Sequence, residues 1–286
     1  MAQEYRQISR VGPKPFVKWA GGKRQIMSEL EKNFPDRFGT YVEPFLGGGA
    51  VMFDLLTKNR SLKCNVSDLN SDLVLAYVTI RDKLSKLIES LENHSRNYHQ
   101  DSTVYYYEVR NNEPKNQIEK VSRLLFLNKT CFNGLYRVNS KGKFNVPLGR
   151  YTNPNIVNKE NLVAVSHILQ STKIKISCRD FGSIVKYVKS GDFVYFDPPY
   201  QPISDTANFT SYTHRDFTQD DLMRLADLAN QLDSKGCHVM LSNSNSKTVK
   251  KLFSSKWKIK EIKANRAINS NSQKRTGHKE IIIKNY

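Results

Sequence analysis

The chain has 286 residues, enough for one large α/β domain and a smaller one. Its 45 Lys and Arg residues outnumber 27 Asp and Glu residues, and the net charge of +18 favours a polyanionic partner over a merely solvated basic surface. No apolar run approaches the roughly 18 residues of a membrane span, and the first 15 residues lack the core of a signal peptide. The four cysteines form no CxxC pair and are interpreted as buried thiols in a reducing cytosol, not as a disulfide frame or metal site.

The first candidate ligand-binding stretch is FVKWAGGK, residues 16–23, ahead of a predicted helix over 24–33. Its paired glycines let the backbone approach a ligand closely. Lys23 can hold a carboxylate and Trp19 an aromatic group, although a plain loop before a helix explains the same residues. The polar, basic residues 1–15 predict an arm against phosphates.

A strand, a glycine-rich turn and a helix are predicted over 40–57, with Gly47 and Gly48 in the turn. This is the order of the first βα turn of nucleotide-type folds, where glycines make room for a cofactor. The spacing is neither GxGxxG nor GxxxxGK[ST], which disfavours dinucleotides and triphosphates. The next predicted strand, 63–67, ends at Asp68, about 20 residues after the turn, which suits hydrogen bonds to ribose hydroxyls. A helix N-cap is the alternative role for Asp68.

A polar stretch over 92–157, rich in Asn and Tyr, follows an amphipathic helix over 71–90 and interrupts the β/α alternation. Within it, a helix over 118–129 precedes a predicted β-hairpin near 136–147. The basic and polar side chains of this hairpin suit a DNA groove, and Arg137 is the best candidate for bidentate recognition of guanine. A surface hairpin with scattered charge is the alternative.

The β/α alternation resumes near residue 159. The predicted elements are helices over 159–170, 182–189, 217–235 and 246–253, and strands over 173–178, 192–196, 237–241, 256–264 and 279–285. Phe181 is a candidate contact to an adenine ring, and Thr218 with Asp221 predicts a capping box. The polar loop over 201–216 is a candidate substrate lid. The loop over 265–278 has the composition of a phosphate-contacting segment.

The sharpest motif is Asp197-Pro198-Pro199-Tyr200, which ends the strand over 192–196 because prolines cannot donate to a sheet ladder. In open α/β sheets the carboxyl ends of strands bind ligands. The Asp197 carboxylate and the Pro198 carbonyl can accept both N–H bonds of a nucleobase amine, drawing its nitrogen toward tetrahedral geometry, while Tyr200 stacks on the base. A buried strand before a rigid loop is the structural alternative. No histidine lies at metal spacing or beside a nucleophile elbow, which disfavours hydrolases and zinc deaminases.

With these motifs, the chain resembles the Dam-type, D12-class family of DNA adenine-N6 methyltransferases that modify GATC. The segments that carry the resemblance span most of the chain in the family's order: FVKWAGGK (16–23), EPFLGGGAV (43–51), DLNSD (68–72), FNGLYRVNSKGKFNVPLGRY (132–151), DFVYFDPPY (192–200) and ANFTSYT (207–213). Cofactor motifs come first, a recognition insert follows and DPPY comes late, which resembles the α arrangement. The glycine turn reads LGGGA where some members have GAG, a departure that leaves cofactor binding expected.

The resemblance implies an α/β fold with a Rossmann-like, S-adenosylmethionine-dependent methyltransferase sheet, mostly parallel with a closing antiparallel hairpin. It implies a catalytic domain over 1–70 and 158–286, and an inserted helical and β-hairpin target-recognition domain over 71–157. The implied activity is transfer of a methyl group from S-adenosylmethionine to adenine N6 in double-stranded GATC, with the adenine flipped into the DPPY pocket.

The resemblance also implies roles for individual residues. The catalytic set is Asp197, Pro198, Pro199 and Tyr200. The cofactor set is Trp19, Lys23, Glu43, Phe45, Gly47, Gly48, Asp68, Phe181 and Asp197. In the DNA set, Lys18, Leu135, Arg137 and Pro147 are implied to read bases, Phe132 to act as a wedge between bases, and Asn133, Asn139 and Arg150 to contact the backbone.

Other functions stay open at this point. One is methylation of cytosine N4 or of ribosomal-RNA adenine in the same pocket; the Arg137 hairpin favours duplex DNA because RNA grooves are poorly read. Another is a non-catalytic DNA-binding regulator, which the intact DPPY motif disfavours. A cytoplasmic, DNA-associated protein without metal or membrane is expected. A restriction endonuclease acting on the same site, without a stable complex, is a candidate partner.

Overall fold

The computed structural model describes residues 12–19, 21–139, 141–171, 173–200, 217–253, 256–264 and 278–286. Most of the predicted basic arm, the candidate lid over 201–216 with its ANFTSYT segment, and most of the loop over 265–278 lie outside the described residues.

A sheet of seven strands forms the centre of the described chain. The strands are β1 (Tyr41–Glu43), β2 (Cys64–Asp68), β3 (Ile174–Cys178), β4 (Phe193–Phe196), β5 (His238–Ser244), β6 (Lys258–Ala264) and β7 (His278–Lys284). Their order across the sheet is β3-β2-β1-β4-β5-β7-β6. Strands β1 to β5 pair in parallel, and β7 is antiparallel to both β5 and β6. The α/β class and the mostly parallel sheet with a closing antiparallel hairpin are thereby confirmed.

The order of the strands reverses at β1, which pairs with β2 on one side and with β4 on the other. Such a switch point opens a crevice at the carboxyl ends of the strands. Glu43 ends β1 at this crevice, and Asp197 directly follows the last residue of β4. The fold therefore brings two sequence motifs, EPFLGGG and DPPY, to one edge of the sheet.

Helices cover both faces of the sheet. They are α1 (Met27–Glu31), α2 (Ala50–Lys58), α3 (Ser71–Asp82), α4 (Leu84–Gln100), α5 (Ser102–Asn111), α6 (Gln117–Thr130), α7 (Lys159–Leu169), α8 (Gln219–Ser234) and α9 (Lys247–Phe253). Along β4, Phe193 and Tyr195 join the core beneath α2, α3 and α7, while Val194 and Phe196 join the core beneath α8 and α9. This alternation is the period of two that a strand imposes on its side chains.

The helix predicted over 71–90 is two helices. Lys83 leaves the helical range (φ −136°, ψ 33°), and α4 then continues to Gln100. No glycine or proline marks this break, so the sequence carries no local signal for it. The stretch over 92–157 is also more ordered than its polar composition suggests, because α4, α5 and α6 pack on one another around Tyr98, Tyr106 and Phe126. Helix α6 confirms the helix predicted over 118–129.

The β-hairpin predicted near 136–147 forms only in part. One antiparallel bridge joins Val138 to Phe144, and the described residues on either side of it form no named strand. The Asn139 carboxamide oxygen accepts the backbone N–H groups of Lys141 and Lys143, both at 3.0 Å. Short polar side chains of this kind compete with the ladder for backbone donors. We call residues 136–147 the recognition hairpin.

Smaller differences concern element ends. The helices predicted over 24–33 and 182–189 contain 3₁₀ turns, Lys23–Ile26 before α1 and Phe181–Lys186. Strand β5 runs to Ser244 because its last residues pair with β7. The capping box of Thr218 and Asp221 is confirmed at the start of α8.

Cys178 ends β3 at the sheet's edge and is exposed, unlike the other three cysteines, so its predicted burial is wrong. The division into a catalytic domain over 1–70 and 158–286 and a recognition domain over 71–157 stays a prediction. Helix α3, the first element after residue 70, packs against β2 and β3.

Candidate active site

An ion pair lies at the carboxyl end of β4. Lys23 Nζ is 2.7 Å from Asp197 Oδ1; the side chains are 4% and 20% exposed. The ammonium also donates to the Gly21 carbonyl and lies 5.0 Å from the centroid of the Tyr200 ring. Of the proline pair, Pro198 is buried and Pro199 is exposed. A planar ligand can use two parts of this arrangement. One is the Asp197 oxygen that Lys23 does not contact, and the other is the face of the Tyr200 ring away from Lys23.

Burial raises the pKa of Asp197 to about 6. The Lys23 cation opposes this rise, and the nearby carboxylate of Glu280 reinforces it. A pKa just below neutrality keeps the carboxylate mostly ionised at physiological pH, as a hydrogen-bond acceptor requires.

Glu280 is a site residue that the sequence did not reveal. It lies on β7, is buried, and its Oε2 accepts the Tyr200 hydroxyl at 2.9 Å, across 80 positions in the chain. Below it, Tyr195 and Ser242 share a buried hydrogen bond of 2.7 Å. Only the placement of β7 beside β5 brings Glu280 to the DPPY motif, and no local sequence pattern signals that placement.

The glycine turn after β1 is tied to the end of β2. Asp68 accepts from the Gly47 N–H (2.8 Å) and the Asn70 N–H (2.9 Å), one on each carboxylate oxygen. Tyr77, a residue that the sequence did not single out, donates to the Gly47 carbonyl at 3.0 Å. A Cβ on Gly47 would lie 3.1 Å from Trp19 Cδ1, so Trp19 packs directly on the turn. Gly48 packs against Pro15 in the same way, since its Cβ would lie 3.2 Å from Pro15 Cβ.

Glu43 is a buried carboxyl group below this turn, only 3% exposed. Burial raises its pKa well above the usual range, and the charges of Asp197 and Asp68 add to the rise. Its Oε2 has no hydrogen-bond partner among the described residues. An orphaned buried oxygen is costly, and either the neighbouring Tyr41 hydroxyl, itself without a partner in the described part of the chain, or a ligand that donates to Oε2 would remove that cost.

Three aromatic rings, which we call the aromatic wall, pack on one another near the end of β1. Phe45 stacks on Phe181 with 5.2 Å between centroids, and Phe217 meets Phe45 edge-on at 5.9 Å. Arg224 on α8 covers Phe181 at 4.8 Å and pairs with Asp180 at 2.9 Å. Phe45 and Phe181 were both expected here, whereas Phe217 was not. The aromatic wall suits a flat aromatic ligand.

The expected DNA-contacting residues begin at Lys18. The Asn128 carboxamide accepts the Lys18 N–H (2.7 Å) and donates to the carbonyls of Lys18 (2.9 Å) and Gly134 (3.0 Å). We call this arrangement the Asn128 clamp. The Lys18 ammonium donates to the Tyr151 hydroxyl at 3.1 Å. The clamp places Lys18 beside the loop that carries Asn133 and Leu135. Sequence reasoning missed Asn128 and gave Tyr151, within the same polar and basic stretch as Arg150, no site role of its own.

The remaining candidates lie in the recognition hairpin or next to it in the chain. Asn145 orients Arg137, accepting Nε on its side-chain oxygen (2.7 Å) and Nη2 on its carbonyl (3.3 Å). Phe132 is 41% exposed although its backbone N–H is held by the Pro147 carbonyl at 2.8 Å. The other positions are as follows: Leu135 packs partly buried on the core, Asn133 has a positive φ of 55°, and Asn139 and Arg150 are exposed.

Gly134→Ala is expected to lower the free energy of unfolding by about 2–4 kcal/mol. Gly134 has φ +64°, and a Cβ there would lie 2.8 Å from Lys18 Cβ and 3.1 Å from the Asn128 carbonyl oxygen. Gly191→Ala is the matched control, because Gly191 has φ +78° but nothing within 4 Å of its Cβ. Backbone strain alone should cost about 1 kcal/mol in the control. Urea denaturation measures both, and equal losses would contradict the packing argument.

Two negative findings apply to the described part of the chain. No three of its His, Cys, Asp or Glu side chains group as metal ligands. None of its helices combines the length and apolar character that crossing a bilayer requires.

Comparison with known proteins places this site in a family. The family model of the D12 class N6 adenine-specific DNA methyltransferases matches residues 19–268. The chain is 45% identical over 289 residues to the Type II methyltransferase M.MjaIII of Methanocaldococcus jannaschii, covering 96% of this chain and 99% of the relative. It is 43% identical to the Type II methyltransferase M1.LlaDCHI of Lactococcus lactis subsp. cremoris, covering 98% of each. It is 32% identical to the DNA adenine methylase of Haemophilus influenzae, covering 94% and 92%. Because the family match spans most of the chain and these relatives align over nearly their whole lengths, the chain belongs to the D12 class of N6 adenine-specific DNA methyltransferases.

Proposed function

We propose that this adenine-N6 DNA methyltransferase acts on double-stranded GATC, takes its methyl group from S-adenosylmethionine and receives the target adenine, flipped out of the duplex, in the DPPY pocket. The observation that carries the proposal is the Asp197 carboxylate at the switch point of the sheet, paired with the buried Lys23. The fold sets this pair beside the glycine turn, so that a base and a cofactor can meet at one edge.

The residues around the glycine turn fit S-adenosylmethionine. The absence of a side chain at Gly47 lets Trp19 pack directly on the turn, which sets the Trp19 ring beside the proposed cofactor site. Asp68 accepts backbone donors on both oxygens, and its remaining acceptor capacity suits ribose hydroxyls. The aromatic wall of Phe45, Phe181 and Phe217 suits the adenine ring, and the orphaned oxygen of Glu43 suits a polar group of the cofactor. When bound, S-adenosylmethionine supplies a methyl group on a positively charged sulfur.

The protein's own part in the reaction is positioning and electrostatics. Lys23 occupies one oxygen of Asp197 and leaves the other for an N–H of the adenine amine. The Pro198 carbonyl accepts the second N–H, which localises the nitrogen lone pair and turns it outward. Tyr200, held at its hydroxyl by Glu280, stacks on the flipped base. No base is needed before attack, because the proton on nitrogen becomes acidic only after the methyl group has bonded.

Recognition of GATC is proposed to depend on residues of the recognition hairpin and on their neighbours. Arg137 has two of its N–H donors on Asn145 and therefore an oriented guanidinium whose free end suits O6 and N7 of guanine. Lys18, Leu135 and Pro147 are proposed to read the other base edges, and the exposed Phe132 to enter the stack as a wedge. Asn133, Asn139 and Arg150 are proposed to hold the phosphate backbone. The net charge of +18 supports a polyanionic partner.

Methylated-base sequencing tests the proposal directly. DNA from a methylation-free host that expresses this chain should carry N6-methyladenine at GATC. The same host with Asp197→Ala serves as the control. Modification at another motif would contradict the roles given to Lys18, Leu135 and Arg137, and modification at another atom would contradict the role of the pocket. If the sites are GATC, a restriction endonuclease that cuts this sequence stays a proposed functional partner, since methylation would protect host DNA.

The pH profile of methyl transfer should report the ionisation of Asp197. Below an apparent pKa of about 6, kcat/KM should fall about tenfold per pH unit, because the protonated carboxyl no longer accepts two hydrogen bonds. Lys23→Met should move the midpoint upward, because the cation that opposes the rise in the pKa of Asp197 is removed.

Lys32→Met is the control for this profile, since Lys32 is exposed and paired with Glu29. It should leave the midpoint unchanged. A midpoint that does not move in Lys23→Met would show that the profile reports another group.

A further inference from the structure

One side chain of the recognition hairpin touches the cofactor side of the site. Tyr136 lies between Leu135 and Arg137, two residues proposed to read bases. Its ring centroid is 5.3 Å from that of Trp19, with 33° between the ring planes. Its hydroxyl donates to Asp72 Oδ2 at 3.3 Å.

Trp19 and Asp72 belong to the cofactor side, whereas a third partner of Tyr136, the Phe144 ring at 6.0 Å, belongs to the hairpin itself. Trp19 packs on the glycine turn, where a Cβ on Gly47 would lie 3.1 Å from its ring. Asp72 lies in the first turn of α3, directly after the Asp68 loop, whose Asn70 caps that helix. Tyr136 therefore bridges the two loops that are proposed to hold the cofactor.

The Asn128 clamp makes this bridge stiff. It fixes the backbone of Lys18 to that of Gly134; Trp19 directly follows Lys18, and Tyr136 is two residues after Gly134. Burial, aided by the charge of Asp72, raises the pKa of Tyr136 to about 12, so the phenol remains a donor at physiological pH. A shift of residues 135–137 onto base edges must then move Tyr136 against Trp19 and Asp72.

We propose that Tyr136 couples reading of the DNA target to binding of the cofactor. The inference rests on the proposed function, since it takes residues 135–137 as the base readers and the glycine turn as the cofactor site. Coupling between two ligands is reciprocal, so target DNA should tighten cofactor binding by the same factor by which the cofactor tightens binding of target DNA. Tyr136 is a positioning residue and contacts neither reacting atom.

Calorimetry with S-adenosylhomocysteine, a cofactor product that cannot transfer a methyl group, measures this factor. Its Kd is compared with a GATC duplex and with a duplex of scrambled sequence. For the unaltered protein the ratio of the two values should be about fivefold or more. Tyr136→Ala should bring the ratio close to one, and Tyr136→Phe, which keeps the ring but loses the hydrogen bond to Asp72, should give an intermediate ratio.

Tyr105→Phe is the matched control. It removes a hydroxyl on α5 that hydrogen-bonds His94 on α4 at 2.8 Å, away from the glycine turn. It should keep the full ratio. If Tyr136→Ala fails to fold, Tyr136→Phe and Asp72→Ala each remove the hydrogen bond and should each lower the ratio.

The proposal is overturned if Tyr136→Phe and Asp72→Ala both keep the Kd ratio of the unaltered protein. It is also overturned if the unaltered protein itself has a ratio of one. These failures are distinguishable from failure of the proposed function. Methyl transfer to GATC by the unaltered protein, with an unchanged ratio in the variants, removes only the coupling. Absence of transfer to GATC removes the proposed function itself.

Discussion

Asp197→Ala is expected to lower the single-turnover rate of methyl transfer by about 10³-fold, the loss typical of removing a preorganised contact to a reacting centre. The carboxylate is proposed to be the acceptor that localises the lone pair of adenine N6, and Lys23 holds it in place at 2.7 Å. Affinity for the GATC duplex, measured by fluorescence anisotropy, should be unchanged, because the recognition hairpin lies elsewhere. Transfer of labelled methyl groups measures the rate.

Alanine at this position also leaves the buried Lys23 without its partner, which destabilises a protein. Asp197→Asn reduces this second effect because it keeps the shape of the side chain and an oxygen that can accept from Lys23, while it removes the negative charge. It should also lose most of the methyl transfer. Asp227→Ala, at an exposed position of α8, is the control and should transfer normally. Substantial transfer by Asp197→Asn would contradict the need for a charged acceptor.

Arg137→Ala should relax sequence discrimination more than any other change in the recognition hairpin. A bidentate contact between arginine and guanine contributes about 1–3 kcal/mol of discrimination, or roughly 5- to 150-fold. The variant should therefore lose about this factor in the preference for GATC over a duplex in which the guanine is replaced. The ratio of kcat/KM for the two duplexes is the measurement.

Arg150→Ala provides the comparison, because it is exposed and proposed to contact phosphate. The loss of the Arg150 side chain should weaken binding to both duplexes equally. It should also reduce the slope of the logarithm of affinity against the logarithm of salt concentration by about one. If Arg137→Ala instead behaves in this uniform way, Arg137 contacts the backbone and the base-reading role belongs to another residue.

The sequence predicts most of the sheet and the positions of the two central motifs. Buried strands are short apolar runs that end at recognisable residues, as β4 ends before Asp197-Pro198-Pro199. The glycine turn and Asp68 are likewise local patterns, and the structure places them next to each other through the bond from Gly47 to Asp68. Such features depend on periodicity and on the special backbone of Gly and Pro, which can be read without knowing the fold.

The features that the sequence does not predict have no recognisable local pattern of their own. Glu280 meets Tyr200 only because β7 enters the sheet beside β5. The break at Lys83 has no local breaker residue. The recognition hairpin has an alternating pattern, yet its Asn139 side chain takes backbone donors that a strand ladder would have used. Glu280 thus depends on a tertiary contact, whereas the hairpin depends on a side chain that bonds donors only two and four residues away.

Strand β7 comes after β6 in the chain but lies between β5 and β6 in the sheet. During synthesis on a ribosome, β6 therefore has no neighbour in the sheet until residues up to Lys284 have left the exit tunnel. Until then β5 keeps an open edge, and Tyr200 lacks the Glu280 carboxylate. A nascent or truncated chain that lacks this strand would expose an unpaired edge, which favours aggregation. The same late pairing delays completion of the DPPY site, which lacks Glu280 until β7 is made.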